Sequence, residues 1–273
     1  MSQRFPTYFI SHGGGPWPYM PEMASSMHAL ADSLVDIPRQ LGQTPKAVLM
    51  ITAHWEANAF TLGTNPNPGM VYDYGGFAPH TYQVIYPAPG APALAQRVQG
   101  LLQAAGLPLA LDPQRGYDHG TFVPLAVMYP DAQLPVLQMS LRTGLNPAEH
   151  IALGRALAPL RDEGVLIVGS GLSYHNLRAF GPQAKAPSQA FDDWLQATLT
   201  ATPAKREALL NDWERAPAAR QSHPREEHLL PLMVALGAAH ADTATCVYHE
   251  DGVFGGVTVS SFRFGAINAA IGV

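Results

Sequence analysis

Ala47–Trp55 reads AVLMITAHW, an apolar and β-branched run that follows Pro45 and Lys46 and closes on Ala53-His54-Trp55. A short continuous apolar run bounded in this way marks a strand covered on both faces. The imidazole of His54 then stands where a buried strand leaves its sheet, and in open α/β sheets ligands bind outside the carboxyl ends of the strands. The pattern recurs twice. Thr7–Ile10 runs into Ser11-His12-Gly13, and Val165–Val168 runs into GSGLSYHN, which carries His175. Strand-like segments that each deliver a histidine just past the last apolar residue predict an α/β fold. Its central sheet is expected to be mostly parallel or mixed and flanked by helices, with the site at the carboxyl ends of the strands.

The chain has 273 residues, 47% of them apolar, which is enough to bury a large core. No repeat, low-complexity tract or linker divides it, so residues 1–273 are expected to form a single domain. A net charge of −5 without a basic run argues against a nucleic-acid footprint. The one cysteine, Cys246, excludes an internal disulfide and fits a reducing compartment. It lies in the apolar run TATCVYH and is expected to be a buried small hydrophobe. The apolar run before His12 is too short for a signal peptide, and no window approaches the ~18–20 apolar residues of a membrane span. A cytoplasmic protein without nucleic-acid or membrane partners is expected, as a monomer or small homo-oligomer.

Outward from these strands, Met23–Leu41 has helical periodicity with His28 on its surface, and Phe60–Gly63 reads as a short strand. Gly13, Gly14 and Gly15 permit close backbone approach, yet the stretch lacks the Lys-Ser/Thr of a P-loop and the GxGxxG of a dinucleotide fold. Thr64–Pro89 is a long irregular segment holding Tyr72, Asp73, Tyr74, Phe77 and His80. Loops of this length in compact domains are usually functional, so it is expected to cover the site as a lid, with His80 exposed. Ala91–Ala105 reads as a helix and Leu109–Leu111 as a strand. Asp118-His119-Gly120 opens an apolar helix, which puts His119 at a positive dipole end that favours the neutral imidazole. Leu134–Ser140 reads as a strand. Pro147–Glu163 reads as a helix with His150 on its surface, and Gln189–Leu210 as helical. A helix over Leu229–Leu236 follows Glu226, Glu227 and His228. Strands over Thr245–His249 and Val257–Phe264 close the chain, the second with polar and apolar residues alternating.

His12, His54, His119, His175 and His228 therefore each follow or start a buried element. A single such histidine is a hydrogen-bonded core or loop residue. Five placed this way point to a metal, because neutral imidazole is the commonest protein ligand. With no HExxH, CxxC pair or EF-hand loop, the residues themselves define a His-rich mononuclear site in a small-molecule enzyme and go no further.

SHGGGPWPYM, the strand ending TAHW, YPAPG (Tyr86–Gly90), YDHGTFVPLAVMYPDA, GVLIVGSG with YHNLR, and EEHLLPL occur in that order. Together they resemble the class III extradiol ring-cleavage dioxygenases, in the single-chain DOPA 4,5-dioxygenase branch, from about Phe5 to Phe264. The resemblance implies His12, His54 and His228 as metal ligands. It implies His175 as the acid/base beside the metal, which some zinc-bound relatives place on the metal itself, and His119 as a contact to substrate or oxygen. It implies Fe(II) as working metal, Zn(II) as a metal the protein can also carry, and a catechol such as DOPA or a catecholic acid, with O2, as substrates. This chain departs from the pattern at Arg225-Glu226-Glu227-His228, where relatives carry Thr-Pro-Glu-His. Two-subunit members use a carboxylate as third ligand, so Glu226 and Glu227 rival His228. Trp17, Trp55, Tyr74 and Phe77 are candidates for the pocket wall, and Arg178 either binds a substrate carboxylate or caps a helix. Two alternatives stand beside this reading: a zinc hydrolase in which His175 or His119 activates a metal-bound water, and a non-catalytic binding protein. The metal separates the first from the dioxygenase, because zinc has no redox chemistry.

Overall fold

A computed structural model describes residues 4–267. Its sheet contains strands β1 (Thr7–Ser11), β2 (Ala47–Ala57), β3 (Phe60–Gly63), β4 (Leu109–Asp112), β5 (Val136–Arg142), β6 (Val165–Gly171), β7 (Ala244–Val253) and β8 (Val257–Phe264). Their order is β4-β3-β5-β2-β6-β1-β8-β7. The central strands β5, β2, β6 and β1 are parallel, with Leu49 opposite both Leu137 and Ile167, and Phe9 opposite Gly169. β3 and β8 join this block antiparallel, so the sheet is mixed.

Successive side chains of a strand point to opposite faces. Leu49 and Ile51 accordingly enter one core, and Val48 and Met50 the other. Helices α1 (Pro21–Ser26), α2 (His28–Leu41), α3 (Pro92–Ala104) and α4 (His119–Met128) precede α5 (Pro147–Leu157) and α6 (Lys185–Leu199). α7 (Pro203–Asn211), α8 (Ala219–Ser222) and α9 (Leu230–Ala239) follow. α5 and α9 cover the Leu49 face, while α2 and α4 cover the Val48 face. The LPLMVALGAA sequence of α9 has no charged residue, and all of it is buried. Among the described residues, no helix is long and apolar enough to cross a membrane.

Several expectations are corrected. The helix over Met23–Leu41 is two helices that break at Met27, and the one over Gln189–Leu210 stops before Pro203, which cannot continue the hydrogen-bond ladder. The helix from Pro147 ends at Leu157 and tightens into a 3-10 turn, Ala158–Arg161, that contains Pro159. His150 is not a surface residue. It is fully buried, with Nδ1 2.7 Å from the Asn146 carbonyl, Nε2 accepting the Arg142 amide at 3.3 Å, and its ring edge on Phe60. Cys246 is exposed rather than buried, because β7 is the edge strand. β8 does not alternate between core and solvent. Its hydroxyls are satisfied inside, with Ser261 Oγ accepting the Ser11 amide at 2.9 Å.

Candidate active site

β2 and β5 keep register up to Ile51 opposite Met139, then resume with Glu56 opposite Leu141. Between these pairs the four residues Thr52–Trp55 of β2 face the single Ser140 of β5, while Thr52 stays opposite Ser170 of β6, and such a bulge re-aims a side chain beside a site. His54 is in it. Its amide donates to Thr52 Oγ1 at 3.1 Å, and that hydroxyl donates to Asp118 Oδ1 at 2.8 Å. The other Asp118 oxygen takes Arg115 at 3.0 Å. His12 follows β1 directly and donates its amide to the Gly171 carbonyl at 3.2 Å. The His228 carbonyl in turn accepts the Leu172 amide at 3.1 Å. That approach needs glycine at position 171, because a Cβ there would lie 2.1 Å from the His228 oxygen. His119 is the first residue of α4.

All five sequence-predicted imidazoles meet at one end of the sheet. Ring centroids lie 4.9 Å apart for His12 and His54, 4.8 Å for His54 and His228, and 3.9 Å for His54 and His119. His175 stacks on His228 at 3.3 Å and 17°. The Nε2 atoms of His12 and His228 lie 3.1 and 3.2 Å from that of His54. Each of these three rings has its outer nitrogen on an oxygen: His12 Nδ1 on Ser170 Oγ at 3.1 Å, His54 Nδ1 on Asp73 Oδ2 at 3.2 Å, His228 Nδ1 on Glu227 Oε1 at 2.9 Å. Ser170 gives its own proton to the Gly120 carbonyl, so it accepts from His12. All three Nδ1 positions therefore carry the proton, and three Nε2 lone pairs face one another. Lone pairs crowded in this way repel until a cation lies among them. A divalent ion bound by imidazole at about 2.0–2.1 Å accepts donors at this spacing, and an outer nitrogen held by an oxygen is the usual setting of a metal-binding histidine. The donor set fits a metal.

The electrostatics agree. Burial, then the neighbouring imidazoles, hold His12 and His228 well below the ordinary imidazole value, so both are neutral. His119 is also lowered, with burial leading and Asp73 opposing. Burial alone would raise the Asp73 carboxyl. Hydrogen bonds from His119 and His54 outweigh it and keep Asp73 ionised far below the usual carboxylate range. Glu227 is lowered in the same manner, with burial opposed by His175.

Each carboxylate joins two histidines. Asp73 holds His54 and also His119, whose Nδ1 is 2.8 Å and whose amide is 3.0 Å from Oδ1. Glu227 Oε1 holds His228 and, at 3.0 Å, His175 Nδ1. Of the rivals to His228, Glu227 thus sits on the outer nitrogens, and Glu226 pairs with Arg220 at 2.6 Å. Among the described residues, potential ligand atoms lie within 4.8 Å of one another in two sets, His12, His54 and His119, and His175, Glu227 and His228, which the His54–His228 approach joins.

The imidazoles form the floor of a cavity of about 620 Å³ that Tyr74 and Phe77 of the Thr64–Pro89 loop help to wall. Trp17 and Trp55 do not. Trp17 is buried behind the glycine loop and donates to the His12 carbonyl at 2.9 Å, and Trp55 lies under the Arg115 guanidinium. Arg178 is exposed and lines no part of the cavity, while its amide donates to Asn176 Oδ1. Sequence patterning does not single out Asp73 or the Arg225–Glu56 ion pair at the cavity edge.

An α/β enzyme whose cavity ends on a divalent-metal centre is the class that this sheet and these imidazoles define. A family model described as the catalytic LigB subunit of aromatic ring-opening dioxygenase matches residues 6–265. A 4,5-DOPA dioxygenase extradiol of Beta vulgaris is 38% identical, covering 94% of this chain and 96% of its own. The protein of that name from Escherichia coli K12 is 36% identical, over 97% and 96%. A crystal structure of an uncharacterized Escherichia coli K12 protein superposes with a TM-score of 0.76 at 31% identity, over 96% of this chain and all of that one. The chain belongs to the LigB family, the class III extradiol dioxygenases.

Proposed function

We propose that this dioxygenase opens a catechol ring beside its two hydroxyls at ferrous iron held by His12, His54 and His228, with His175 and His119 moving protons, the whole chain acting as one catalytic unit. The observation that carries the reading is the approach of the His12 and His228 Nε2 atoms to that of His54, at 3.1 and 3.2 Å, with the outer nitrogen of each ring on an oxygen. Bound iron supplies a site that takes the catechol oxygens and O2 together and passes electrons between them, which zinc cannot do. Both oxygen atoms enter the product as the ring carbon–carbon bond breaks, so no external reductant is needed.

The protein's own part is proton handling and enclosure. His175 gives its Nδ1 proton to Glu227, which leaves Nε2 free to accept a proton from a catechol hydroxyl and return it to the opened product. Its plane lies nearly parallel to that of His228, and lone pairs lie in ring planes, so these two rings do not aim at one point. His175 therefore works beside the ion. His119, neutral by burial and anchored through Nδ1 on Asp73, offers a second Nε2 acceptor. A positioned acid/base of this kind contributes about 10²–10⁴-fold. Nothing in the site or the relatives favours the zinc-hydrolase alternative.

Anaerobic loading with Fe(II), followed by oxygen uptake and visible absorbance on a catechol panel, tests the proposal. The expected outcome is a coloured ring-opened product with one O2 consumed per catechol, absent in His54→Ala and in zinc-loaded protein. Iron bound in stoichiometric amount with no uptake on any catechol would overturn it.

A further inference from the structure

The walls above the imidazole floor differ from the floor in chemistry. Phe77 comes from the Thr64–Pro89 loop, Leu177 and Phe180 from the turn after β6, and Phe254 from the β7–β8 turn. Phe180 and Phe254 stack at 4.6 Å and 6°. Gly15 packs directly against Phe77, since a Cβ there would lie 2.6 Å from the Phe77 ring. Leu177 is 66% exposed, one of three exposed large apolar side chains among the described residues, and the one of them that lines the cavity. Phe254 holds a left-handed backbone at φ 52°, an uncommon conformation for a bulky residue and one that concentrates at ligand clamps.

The cavity has little charge to spare. Its one guanidinium, Arg225, is bound in a fork by both oxygens of Glu56, Nη2 at 2.6 Å, and stands 3.5 Å from Glu227. Its carboxylates, Asp73 and Glu227, are each taken by two histidines. An amino-acid substituent would bring an ammonium and a carboxylate against phenyl and leucyl walls, where the acceptor without a hydrogen bond, Glu227 Oε2, is buried and already faces Arg225 at 3.5 Å, and unpaired charge is expensive to desolvate.

We infer that the catechol opened here carries an uncharged, apolar ring substituent of several carbons, seated in the collar of Phe77, Leu177, Phe180 and Phe254. This rests on the catechol-dioxygenase reading and names the substrate class for it. The collar discriminates by burying methylenes, each worth up to about fourfold in affinity or kcat/KM. A zwitterionic substituent of equal length gains none of this.

The test uses full-length Fe(II)-loaded protein with catechol, 4-methyl-, 4-ethyl- and 4-butylcatechol, and DOPA. Calorimetry without oxygen reads binding, and oxygen uptake reads kcat/KM. Both are expected to rise along the alkyl series, with 4-butylcatechol at least tenfold above DOPA. Leu177→Asp, at an exposed position, is expected to cut the 4-butylcatechol-to-catechol ratio at least threefold. Uptake that is flat in chain length, fastest with DOPA, or unchanged in ratio by Leu177→Asp overturns the collar alone. Alkylcatechols that bind with rising affinity yet give no uptake overturn the dioxygenase reading and this inference with it.

Discussion

Replacing Asp73 by asparagine removes one acceptor and the negative charge beside two imidazoles while keeping the size of the side chain. In the native site Oδ1 receives two protons, from His119 Nδ1 at 2.8 Å and the His119 amide at 3.0 Å, while Oδ2 receives one, from His54 Nδ1 at 3.2 Å. An asparagine keeps its single oxygen where two donors converge. Its NH2 group therefore lands on the Oδ2 position and faces the His54 N–H, donor against donor. His54 relieves this by moving its proton to Nε2, the atom that meets His12 and His228, and a protonated Nε2 binds no metal. Loss of such an outer partner costs about 10–100-fold in metal affinity, or roughly 1.4–2.7 kcal/mol. Competition with a chromophoric chelator, titrating Fe(II) anaerobically and Zn(II) in parallel, measures it. A native-like affinity, within twofold, in a folded Asp73→Asn protein would refute the tautomer assignment on which the centre is built.

Glu227→Gln is expected to be milder than Asp73→Asn, with metal affinity within about fivefold of native. Oε1 serves both His228 and His175, Oε2 has no hydrogen-bond partner, and one amide oxygen replaces Oε1 in full. The same chelator titration ranks the two variants. Gly120→Ala is expected to weaken metal binding at least tenfold, because a Cβ there would lie 2.7 Å from Thr52 Oγ1 and 2.8 Å from His54 Cδ2, displacing the bulge that carries His54. A metal titration and a thermal melt would check it. Stability should also fall in mild acid. Burial holds His150 at about 4, below the ordinary ~6.5, and outweighs the hydrogen bond to the Asn146 carbonyl, which pulls the other way. Between these values the unfolded chain binds more protons than the folded one. His150's contribution is therefore complete above about pH 6.5 and falls as the pH drops to 4, by about 3 kcal/mol. Denaturant unfolding of the metal-free protein across this window, with an NMR titration of the imidazole, measures it, and a His150 value near 6.5 would remove the effect.

The strands and their histidines are legible because a buried parallel strand writes a continuous apolar run, and the first polar ring past its end is visible in one dimension. What the histidines hold on to is not. Asp73 lies in an irregular loop, and its partners belong to a distant strand and a helix start, so no local period marks it. His150 sits in a helix turn of mixed polarity, where only the packing of α5 on Phe60 shows that its face is inward. Cys246 reads as core from its apolar neighbours, and only the strand order reveals β7 as an edge. The histidine at the α4 start is neutral as expected, though burial rather than the helix dipole leads.

The carboxylate on the long loop has one more effect. Glu227 stands close before α9 and cannot leave without disturbing the core, whereas Asp73 is part of the Thr64–Pro89 segment, anchored by the Met70–Tyr117 bridge and by tyrosine hydroxyls on the loop's own carbonyls. If the ordered loop strengthens ion binding through His54, reciprocity requires the ion to strengthen the ordered loop by the same factor. The metal is then a clasp on the cover of its own chamber: a loaded molecule resists proteolytic nicking between Tyr72 and Pro79, and a stripped one lets its roof go before its sheet.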